Sequence, residues 1–376
     1  MSFELGAGGG EGPRLGRVRI GELSVATPAF MPVGTRATVK TVGSETLQEI
    51  GARLILANTY HLFLRPGAER IARLGGLHRF MSWAGGILTD SGGFQVYSLA
   101  DFRKIHADGI EFRSHLDGTR HFLTPERVLE IEALLGSDIR MVLDVCTPQP
   151  SGREDTLRDM ELTLRWAERS RAAWIAGGAL FGIVQGGVFP DLRRDCARRL
   201  VAMGFDGYAL GGFSVGEPVE QRIPALEAAI GELPVDAPRY LMGVGTPQDI
   251  LAAVERGIDL FDCVLPTRNA RKATVFTWHG KMILKNSAYA EDQRPIDPEC
   301  TCPTCRRYSR AYLRHLFQVG EQLAGHLATI HSLAFYQQLM ERLRGAIAEN
   351  RVADFAGALR ERWKRLDAGD ATPDSV

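Results

Sequence analysis

The sequence has no segment that is typical of a membrane or secreted protein. No apolar run approaches the roughly 18 residues that a membrane-spanning helix needs, and the Gly-rich start at Gly8, Gly9 and Gly10 lacks the basic-then-apolar pattern of a secretion signal. Neither sign of charge is in excess, because 45 basic residues are matched by 45 acidic ones. We therefore expect a cytoplasmic protein without a membrane partner. The charge balance argues against a protein that binds nucleic acid over its whole surface but is compatible with a local basic groove.

Cysteines are few, and half of the six crowd into one short stretch. Cys300, Cys302 and Cys305 form this cluster, whereas the other three are scattered in apolar settings. In a cytoplasmic chain such a distribution indicates a metal site and buried thiols instead of a disulfide framework. The apolar fraction of 45% and the charged fraction of 24% are those of an ordinary soluble enzyme.

A repeat of strand and helix signals organises most of the chain. Short apolar runs end in polar or glycine clusters, and most are followed by a segment compatible with an amphipathic helix. The runs are Ala29–Val33, Leu54–Ala57, Gly86–Thr89, Ile139–Leu143, Leu180–Val184, Gly207–Leu210, Tyr240–Gly243 and Leu260–Phe261. Eight such units predict an α/β protein with a closed (β/α)8 TIM barrel. An open doubly wound sheet is the alternative.

The segments between and around these units give the expected domain organisation. In chain order, the expected parts are a disordered N-terminus (1–12), the barrel with an N-terminal hairpin (13–273), a zinc-binding subdomain inserted near the last strand (274–335), and a C-terminal helix that closes the barrel and ends in a frayed tail (336–376). The N-terminal hairpin is expected to turn at Gly21-Glu22. Asp117-Gly118, between alternating residues, predicts a further hairpin inserted at 105–122.

Acidic and amide side chains follow several of the predicted strands. Asp90, Asp144 and Asp262 come at the ends of three different runs, and Gln185 comes at the end of a fourth. Because the carboxyl ends of barrel strands meet at one mouth, we expect these groups to share a pocket. A lone Asp after a strand is often a helix cap or a turn former. Three like charges around one mouth repel one another, however. Because such an arrangement is costly, it favours a functional site over three unrelated caps or turns.

Asp262 is the residue around which we interpret this pocket. It lies in an apolar run that ends at Pro266, and a buried carboxylate in such a run needs a partner or a purpose. We interpret Asp262 as a nucleophile, since paired carboxylates suit chemistry at a glycosidic carbon. Asp144 and Gln185 supply the acceptor and donor groups needed to read the edge of a purine.

Basic residues follow Asp262 directly. Arg268, Arg271 and Lys272 lie in the next turn of chain, where they are expected to hold a polyanion. A second basic group follows the cysteines, at Arg306, Arg307, Arg310 and Arg314. A solvated helix face explains this second group as well as phosphate binding does.

The three clustered cysteines and His331 match a tetrahedral Cys3His zinc set. Three thiolates and one imidazole fill the shell of Zn²⁺ and leave no open position, so the ion is expected to be structural. His315 and His326 compete with His331 for the fourth place.

Seven short strings in the sequence resemble one enzyme family. They are TDSGGFQV (89–96), LDVCTP (143–148), GIVQGG (182–187), GGFSVGEP (211–218), YLMGVG (240–245), FDCVLPTRNAR (261–271) and CTCPTC (300–305). In order and spacing they closely resemble the bacterial queuine tRNA-ribosyltransferases, also called tRNA-guanine transglycosylases. The resemblance runs from about residue 14 to about residue 365.

This resemblance implies both a fold and a reaction. The implied fold is a (β/α)8 barrel with a zinc subdomain near its last strand. The implied reaction exchanges guanine 34 in the anticodon of the tRNAs for Tyr, His, Asn and Asp, and the incoming base is the queuosine precursor 7-aminomethyl-7-deazaguanine. Queuine itself and an archaeal-type base are the alternative substrates within the family. Family members pair as homodimers, in which one subunit holds the tRNA while the other supports it.

The resemblance also implies a role for each residue of the site. Asp262 is implied to be the nucleophile and Asp90 the general acid/base. The residues implied to bind the base are Ser91, Phe94, Asp144, Gln185, Gly212 and Met242, with Phe94 and Met242 on the two faces of the base. The implied zinc ligands are Cys300, Cys302, Cys305 and His331.

Four residues depart from the common pattern of the family. Leu is frequent at the position of Phe213, Ala at that of Ser214, and Asn at those of Lys272 and Ser332. These departures bear on the lining of the pocket and on RNA contact.

Two functions from other classes stay open. A zinc-dependent barrel hydrolase would need histidines at strand ends and an open metal position, whereas a non-catalytic tRNA-binding protein would bind tRNA without exchanging guanine.

Overall fold

The computed structural model describes residues 1–99, 102–148, 150–174, 177–214 and 216–367. Its strands are β1 (Ser2–Gly8), β2 (Arg14–Ile20), β3 (Leu23–Thr27), β4 (Ala29–Met31), β5 (Leu54–Asn58), β6 (Gly86–Asp90), β7 (Arg103–His106), β8 (Gly109–Arg113), β9 (Arg120–Leu123), β10 (Ile139–Met141), β11 (Ala179–Val184), β12 (Gly207–Leu210), β13 (Arg239–Leu241), β14 (Leu260–Asp262), β15 (Thr274–Thr277) and β16 (Gly280–Ile283). Its helices are α1 (Ser44–Glu49), α2 (Thr59–Leu64), α3 (Ala68–Arg73), α4 (Gly76–Met81), α5 (Gly93–Leu99), α6 (Pro125–Leu135), α7 (Arg153–Ala172), α8 (Pro190–Met203), α9 (Val219–Ile230), α10 (Pro247–Val254), α11 (Leu265–Ala270), α12 (Pro303–Arg307), α13 (Arg310–Val319), α14 (Gln322–Ala348) and α15 (Val352–Asp367). A short 3-10 turn covers Ser287–Tyr289.

Eight parallel strands form the central sheet, in the order β4-β14-β13-β12-β11-β10-β6-β5. The two ends of this order meet through a parallel bridge between Val33 and Leu56. Hydrogen bonds run there from Gly34 N to Leu56 O at 2.6 Å and from Leu56 N to Pro32 O at 3.0 Å. The sheet therefore closes into a barrel and the predicted fold class is confirmed, whereas the open-sheet alternative, which leaves two unpaired edges, is wrong.

The barrel strands are short and buried, because helices cover the outer face of a parallel barrel. Every residue of β5, β6 and β11 is buried. The covering helices present apolar stripes to the sheet: in α8, the buried residues Leu192, Cys196 and Leu200 recur at every fourth position. Among the described residues, no helix is both long enough and apolar enough to cross a membrane.

A three-stranded antiparallel sheet precedes the barrel. β2 and β3 form the hairpin expected from the sequence, with its turn at Gly21-Glu22, and β1 pairs along β2. The expectation of disorder for residues 1–12 is therefore wrong for Ser2–Gly8. Backbone hydrogen bonds to β2 hold this segment although it has few apolar side chains, and an exposed ion pair joins Glu4 to Arg19 at 2.6 Å.

Buried arginines fill the end of the barrel where β13 and β14 begin. Arg14 and Asp259, both fully buried, form a two-bond ion pair. Arg239 donates to the carbonyl oxygens of Gly10 and Leu233 at 2.7 and 3.1 Å, and its backbone N donates to Asp259 at 2.7 Å. The additional hydrogen bonds offset the free-energy cost of desolvating these charges, whereas the attraction within an isolated buried ion pair often does not offset that cost.

Two parts of the chain lie outside the repeat of strand and helix. β7, β8 and β9 form an antiparallel sheet between α5 and α6, so the hairpin expected at 105–122 has a third strand. The antiparallel pair β15 and β16 follows the last barrel strand and leads into α12 and α13.

Helix α14 crosses the boundary expected at residue 335. It runs unbroken for 27 residues, and α15 follows as a separate helix. The expectation of a single C-terminal helix from residue 336 onward is therefore wrong, both in where the helix begins and in the number of helices. The reason is that both halves of α14 are buried, since Ala328 packs in the cluster that contains the three cysteines and Leu339 in the main barrel core. Tyr336, in the second half, donates from Oη to the carbonyl of Gly245 at 2.5 Å. The tail expected to fray after Asp367 lies outside the described residues.

Candidate active site and metal cluster

Three buried carboxylates lie at the ends of three barrel strands. Asp90 is the last residue of β6, Asp262 is the last residue of β14, and Asp144 follows the end of β10. Their exposed fractions are 7, 8 and 6%. Burial raises the pKa of Asp90 to about 7, and the charge of Asp262 contributes in the same direction, so the two groups lie close enough to interact. The fold thus brings together acids that are far apart in the sequence.

Asp262 uses one carboxylate oxygen for support. Its Oδ1 accepts hydrogen bonds from Tyr240 Oη at 2.6 Å and from Gly243 N at 2.8 Å. Among the described residues, the donors to Asp262 are these two, so no donor and no arginine pairs with its Oδ2. Burial raises the pKa of Asp262, whereas the hydrogen bonds from Tyr240 and Gly243 lower it. An oxygen without a donor, on a carboxylate that is held at its other oxygen, is suited to nucleophilic attack.

Asp90 accepts three hydrogen bonds. Its Oδ1 accepts from Thr59 N at 3.0 Å, and its Oδ2 accepts from Gln95 Nε2 at 2.8 Å and from Asn58 Nδ2. These bonds favour the ionised form, but burial outweighs them and gives the raised pKa of about 7. A carboxyl group that titrates near neutral pH can both donate and accept a proton, as a general acid/base must.

Sequence reasoning missed three of the groups that support the two acids. Asn58 ends β5, directly after the predicted run Leu54–Ala57, so the rule that singled out Asp90 would also have found it. Gln95 lies within the motif at 89–96, but its motif position does not reveal a contact with Asp90. Tyr240 is the first residue of an apolar run, and the sequence does not indicate which way its hydroxyl group points.

Asp144, Ser91 and Gln185 form a hydrogen-bonded trio. Ser91 Oγ donates to Asp144 Oδ1 at 3.2 Å, and Gln185 Nε2 donates to Asp144 Oδ2 at 2.7 Å. The three residues follow the neighbouring strands β6, β10 and β11, which explains why they meet. Burial raises the pKa of Asp144, whereas the hydrogen bonds from Gln185 and Ser91 lower it. A carboxylate beside an amide matches the donors and acceptors on the edge of a purine.

Two glycines make room for the amide of Gln185. Gly212 has a φ of +70°, and a Cβ at this position would lie 2.6 Å from Gln185 Oε1. A Cβ at Gly211 would lie 2.7 Å from Gln185 Nε2. Any larger residue at either position would displace the amide, and at Gly212 the backbone would also be strained.

Phe94 and Met242 also follow barrel strands. Phe94 lies near the start of α5, just after β6, and its side chain is 46% exposed. Met242 comes directly after β13 and is partly buried against the barrel core. An exposed ring and a polarizable thioether on two such loops are suited to covering the faces of a flat ligand.

The predicted basic residues lie on and just after α11, which follows Asp262. Arg268 and Lys272 are exposed. Arg271 is half-buried, its Nη1 is buried without a hydrogen-bond partner, and burial lowers its pKa. Two of the three cations are thus available to a polyanion at the surface, whereas Arg271 is partly enclosed.

The cysteine cluster and His331 come together as one buried group. The four ligand atoms lie within 4.8 Å of one another, and this is the one such group found among the described residues. His331 Nδ1 lies 3.2 Å from Cys305 Sγ and 4.0 Å from Cys302 Sγ. The competing His326 is engaged elsewhere, with its Nδ1 2.6 Å from the carbonyl oxygen of Thr41.

The chemistry of this group fits a tetrahedral metal ion. Bonds of about 2.3 Å to sulfur and about 2.0 Å to nitrogen, at a tetrahedral angle, put these ligand atoms roughly 3.6 Å apart, between the two distances observed. His331 Nε2 lies 3.0 Å from the carbonyl oxygen of Phe276, so its N–H donates there and Nδ1 is left for the ion. Hydrogen bonds from the Cys300 and Cys305 thiols lower the pKa of Cys302, which favours a thiolate in the cluster.

A closed (β/α)8 barrel with interacting carboxylates at the carboxyl ends of its strands defines an enzyme suited to chemistry at a glycosidic carbon. The sequence model of one family, described as TGT, queuine tRNA-ribosyltransferase, matches residues 10–365. The chain belongs to the queuine tRNA-ribosyltransferase family, so it is a pentosyltransferase of the tRNA-guanine transglycosylase type.

Relatives named queuine tRNA-ribosyltransferase match the chain over nearly its full length. The protein of Thermoanaerobacter pseudethanolicus is 56% identical over 91% of this chain and 92% of its own length. The protein of Novosphingobium aromaticivorans is 54% identical over 96% of this chain and 98% of its own length. That of Syntrophobacter fumaroxidans is 55% identical over 94% and 92%, respectively. The match therefore covers the barrel and the metal cluster together.

Proposed function

We propose that this enzyme exchanges guanine at wobble position 34 of tRNAs with GUN anticodons, those for Tyr, His, Asn and Asp, for 7-aminomethyl-7-deazaguanine. The observation that carries the proposal is the pair of buried acids at the mouth. Asp262 has an oxygen without a donor among the described residues, and Asp90 has a pKa raised to about 7 by burial. One group is thus suited to attack carbon and the other to move protons.

In the first half of the proposed reaction, Asp262 Oδ2 attacks the ribose C1′ of nucleotide 34. The bond between C1′ and N9 of guanine breaks, and its electron pair leaves with the base. Asp90, in its protonated form, supplies the proton that neutralises the departing base. The product is an ester that joins the RNA to Asp262. The target nucleotide must leave the anticodon stack to reach the pocket, which costs a few kcal/mol.

In the second half, the incoming base binds where guanine was. Asp90 accepts the proton that the base loses as its ring nitrogen attacks C1′. The ester bond breaks, its electron pair returns to Asp262, and both acids regain their starting states. Two inversions at C1′ give net retention, and no ATP is needed because one glycosidic bond replaces another.

The trio of Asp144, Ser91 and Gln185, with Gly212, forms the proposed binding pocket for the base. The carboxylate accepts hydrogen bonds from the base N–H groups, and the amide of Gln185 pairs with the base carbonyl. Phe94 and Met242 are proposed to cover the two faces of the ring. The close approach of Gly212 to the amide of Gln185 supports this arrangement, because it places the backbone of Gly212 beside a polar edge of the pocket.

Arg268, Arg271 and Lys272 are proposed to contact phosphates of the anticodon loop. The exposure of Arg268 and Lys272 on the segment that directly follows Asp262 supports this role. Charges placed there neutralise backbone phosphates on either side of the target nucleotide, and binding then weakens as salt concentration rises. A cytoplasmic homodimer is proposed for the whole assembly, and light scattering at several protein concentrations measures its mass.

Zn²⁺ is proposed as the ion of the Cys3His group, with a structural role because four protein ligands fill its shell. We expect Cys302→Ser to lose about one zinc ion per chain and about 5 kcal/mol or more of unfolding free energy, since metal binding contributes directly to folding. Elemental analysis and urea unfolding measure these effects. Cys146→Ala, which removes a thiol outside the cluster, serves as the control and should keep its metal. A Cys302→Ser protein with full zinc content would contradict the assignment.

Exchange of labelled guanine into unmodified tRNA tests the proposed function. Purified enzyme should incorporate the label into a tRNA with a GUN anticodon, and unlabelled 7-aminomethyl-7-deazaguanine should displace it. A tRNA with adenine at position 34 is the control and should take up no label. Binding of tRNA without exchange would instead identify a non-catalytic RNA-binding protein.

A further inference from the structure

Arg193 is a fully buried arginine that has no part in the proposed catalytic or base contacts. It lies near the start of α8, and among the described residues no carboxylate forms an ion pair with it. Burial lowers its pKa to about 10, so the guanidinium group is still charged at neutral pH. The charge of Glu217 raises the pKa of Arg193, but a buried cation that no carboxylate pairs with directly is costly and needs a specific reason.

The guanidinium group of Arg193 joins the two loops that carry the proposed base contacts. Its Nε donates to the carbonyl of Gly187 at 2.8 Å, and its Nη1 donates to the carbonyl of Val184 at 2.9 Å. These two carbonyls flank Gln185. The same Nη1 donates to the carbonyl of Gly211 at 2.8 Å, one residue before Gly212. One planar group therefore bridges the ends of β11 and β12, in addition to the backbone hydrogen bond from Gly211 N to Val184 O at 3.1 Å.

Close packing fixes the Gln185 loop against the same helix. A Cβ at Gly186 would lie 2.9 Å from the backbone N of Arg193, so the loop touches the helix backbone. The backbone N of Gln185 also donates to Cys196 Sγ at 3.3 Å, one turn further along α8. The loop is thus held at two points, by Arg193 and by Cys196.

The remaining part of the guanidinium group faces the Gly212 side. Its Nη2 is buried without a hydrogen-bond partner, and a Cβ at Gly212 would lie 3.5 Å from it. The ring of Phe213 lies below the group, with its centroid 4.1 Å from the guanidinium carbon. An arginine stacked on a ring and bonded to fixed carbonyls has little freedom to move. It is therefore a rigid spacer between the two loops.

We propose that Arg193 is the positioning residue of the base pocket, which holds Gln185 and Gly212 at the separation that a planar guanine or 7-deazaguanine lactam requires. The inference rests on the proposed function. Arg193 acts through the two loops and does not itself touch the base. Its loss should therefore weaken capture of the free base while leaving RNA capture and the chemistry at Asp262 and Asp90 nearly intact.

Arg193→Lys tests this role, because lysine keeps the charge but has one nitrogen in place of the two, Nε and Nη1, that bond the three carbonyls. We expect the KM for guanine to rise at least about tenfold, with kcat within about threefold and the KM for tRNA within about twofold of wild type. Arg239→Lys is the matched control, since Arg239 is also buried and also donates to two backbone carbonyls, but at the opposite end of the barrel. It should lower the Tm without raising the KM for guanine.

The outcomes separate this inference from the proposed function. If wild-type enzyme exchanges guanine and Arg193→Lys raises the KM for guanine no more than Arg239→Lys does, Arg193 is only a structural group and the inference is overturned. If wild-type enzyme exchanges no guanine, the proposed function fails whatever the variants do. If Arg193→Lys does not fold, Cys196→Ala, which frees the same loop at its second anchor, should raise the KM for guanine about threefold; an unchanged KM would overturn the inference.

Discussion

Asp262→Asn should reduce guanine exchange by at least about a thousandfold and abolish the covalent adduct between enzyme and tRNA. Asparagine is nearly isosteric, and its Oδ1 can still accept the hydrogen bonds from Tyr240 and Gly243. The change therefore replaces only the free oxygen Oδ2, the atom proposed to attack C1′. The measurement is labelled-guanine exchange together with a denaturing gel of enzyme incubated with tRNA.

Two controls make this result specific. Binding of tRNA to Asp262→Asn, measured by filter retention, should remain within about threefold of wild type, because the basic loop is unchanged. Tyr240→Phe removes one donor to Asp262 but keeps the carboxylate, and it should still form the adduct. An adduct that survives in Asp262→Asn would refute the assignment of the nucleophile.

Asp90→Asn should lower kcat by about 10²–10⁴, the usual contribution of a general acid/base. Because the pKa of Asp90 is raised to about 7 by burial, wild-type activity should change slope near neutral pH. The Asn variant should lose this inflection, since it has no proton to exchange. Glu132→Gln, which removes a different buried carboxyl whose pKa burial also raises, should keep it. Activity profiles between pH 5 and pH 9 decide between these outcomes.

The same group gives a stability signature with a defined sign. Asp90 titrates near pH 7 in the folded protein and near 3.9 when unfolded. Between these values the folded state keeps a proton that the unfolded state releases, so the free energy of unfolding falls as pH rises from about 4 to about 7. Relative to Asp90→Asn, the wild type should lose up to about 4 kcal/mol over this range. Urea unfolding at pH 5 and pH 8 measures the difference, and parallel curves would contradict it.

The barrel could be predicted because its signals are local. Each of the eight apolar runs ends in polar or glycine residues, and each corresponds to a barrel strand. Closure itself was predicted, but the residues at which the barrel closes, Val33 and Leu56, were not, because the register between the first and second units depends on sheet curvature and not on sequence pattern. The strand at Ser2–Gly8 was missed for a related reason, since its partner is backbone and its own side chains carry little apolar signal.

The candidate site, too, could be predicted from the sequence only in part. Asp90, Asp144 and Asp262 were accessible from the sequence because each is a polar residue that follows an apolar run. Their hydrogen-bond partners were not, because the direction of a side chain such as Tyr240 depends on the twist of the strand that carries it. The role of Arg193 could not be predicted either, since a lone arginine on an amphipathic helix is usually solvated. Only the fold reveals that it donates to three backbone carbonyls on two neighbouring strand ends.

The continuity of α14 ties the metal cluster to the catalytic mouth. His331 lies on its first half, and Tyr336, one turn later, bonds to Gly245, two residues beyond the Gly243 amide that supports Asp262. A chelator should therefore slow the reaction from a distance, although the Cys3His group is not among the residues proposed to contact the RNA or the base. We also expect that the segment with the Cys3His group cannot be separated from the barrel, since a fragment that ends near residue 335 would cut a continuous helix. Both parts should therefore unfold together in one transition.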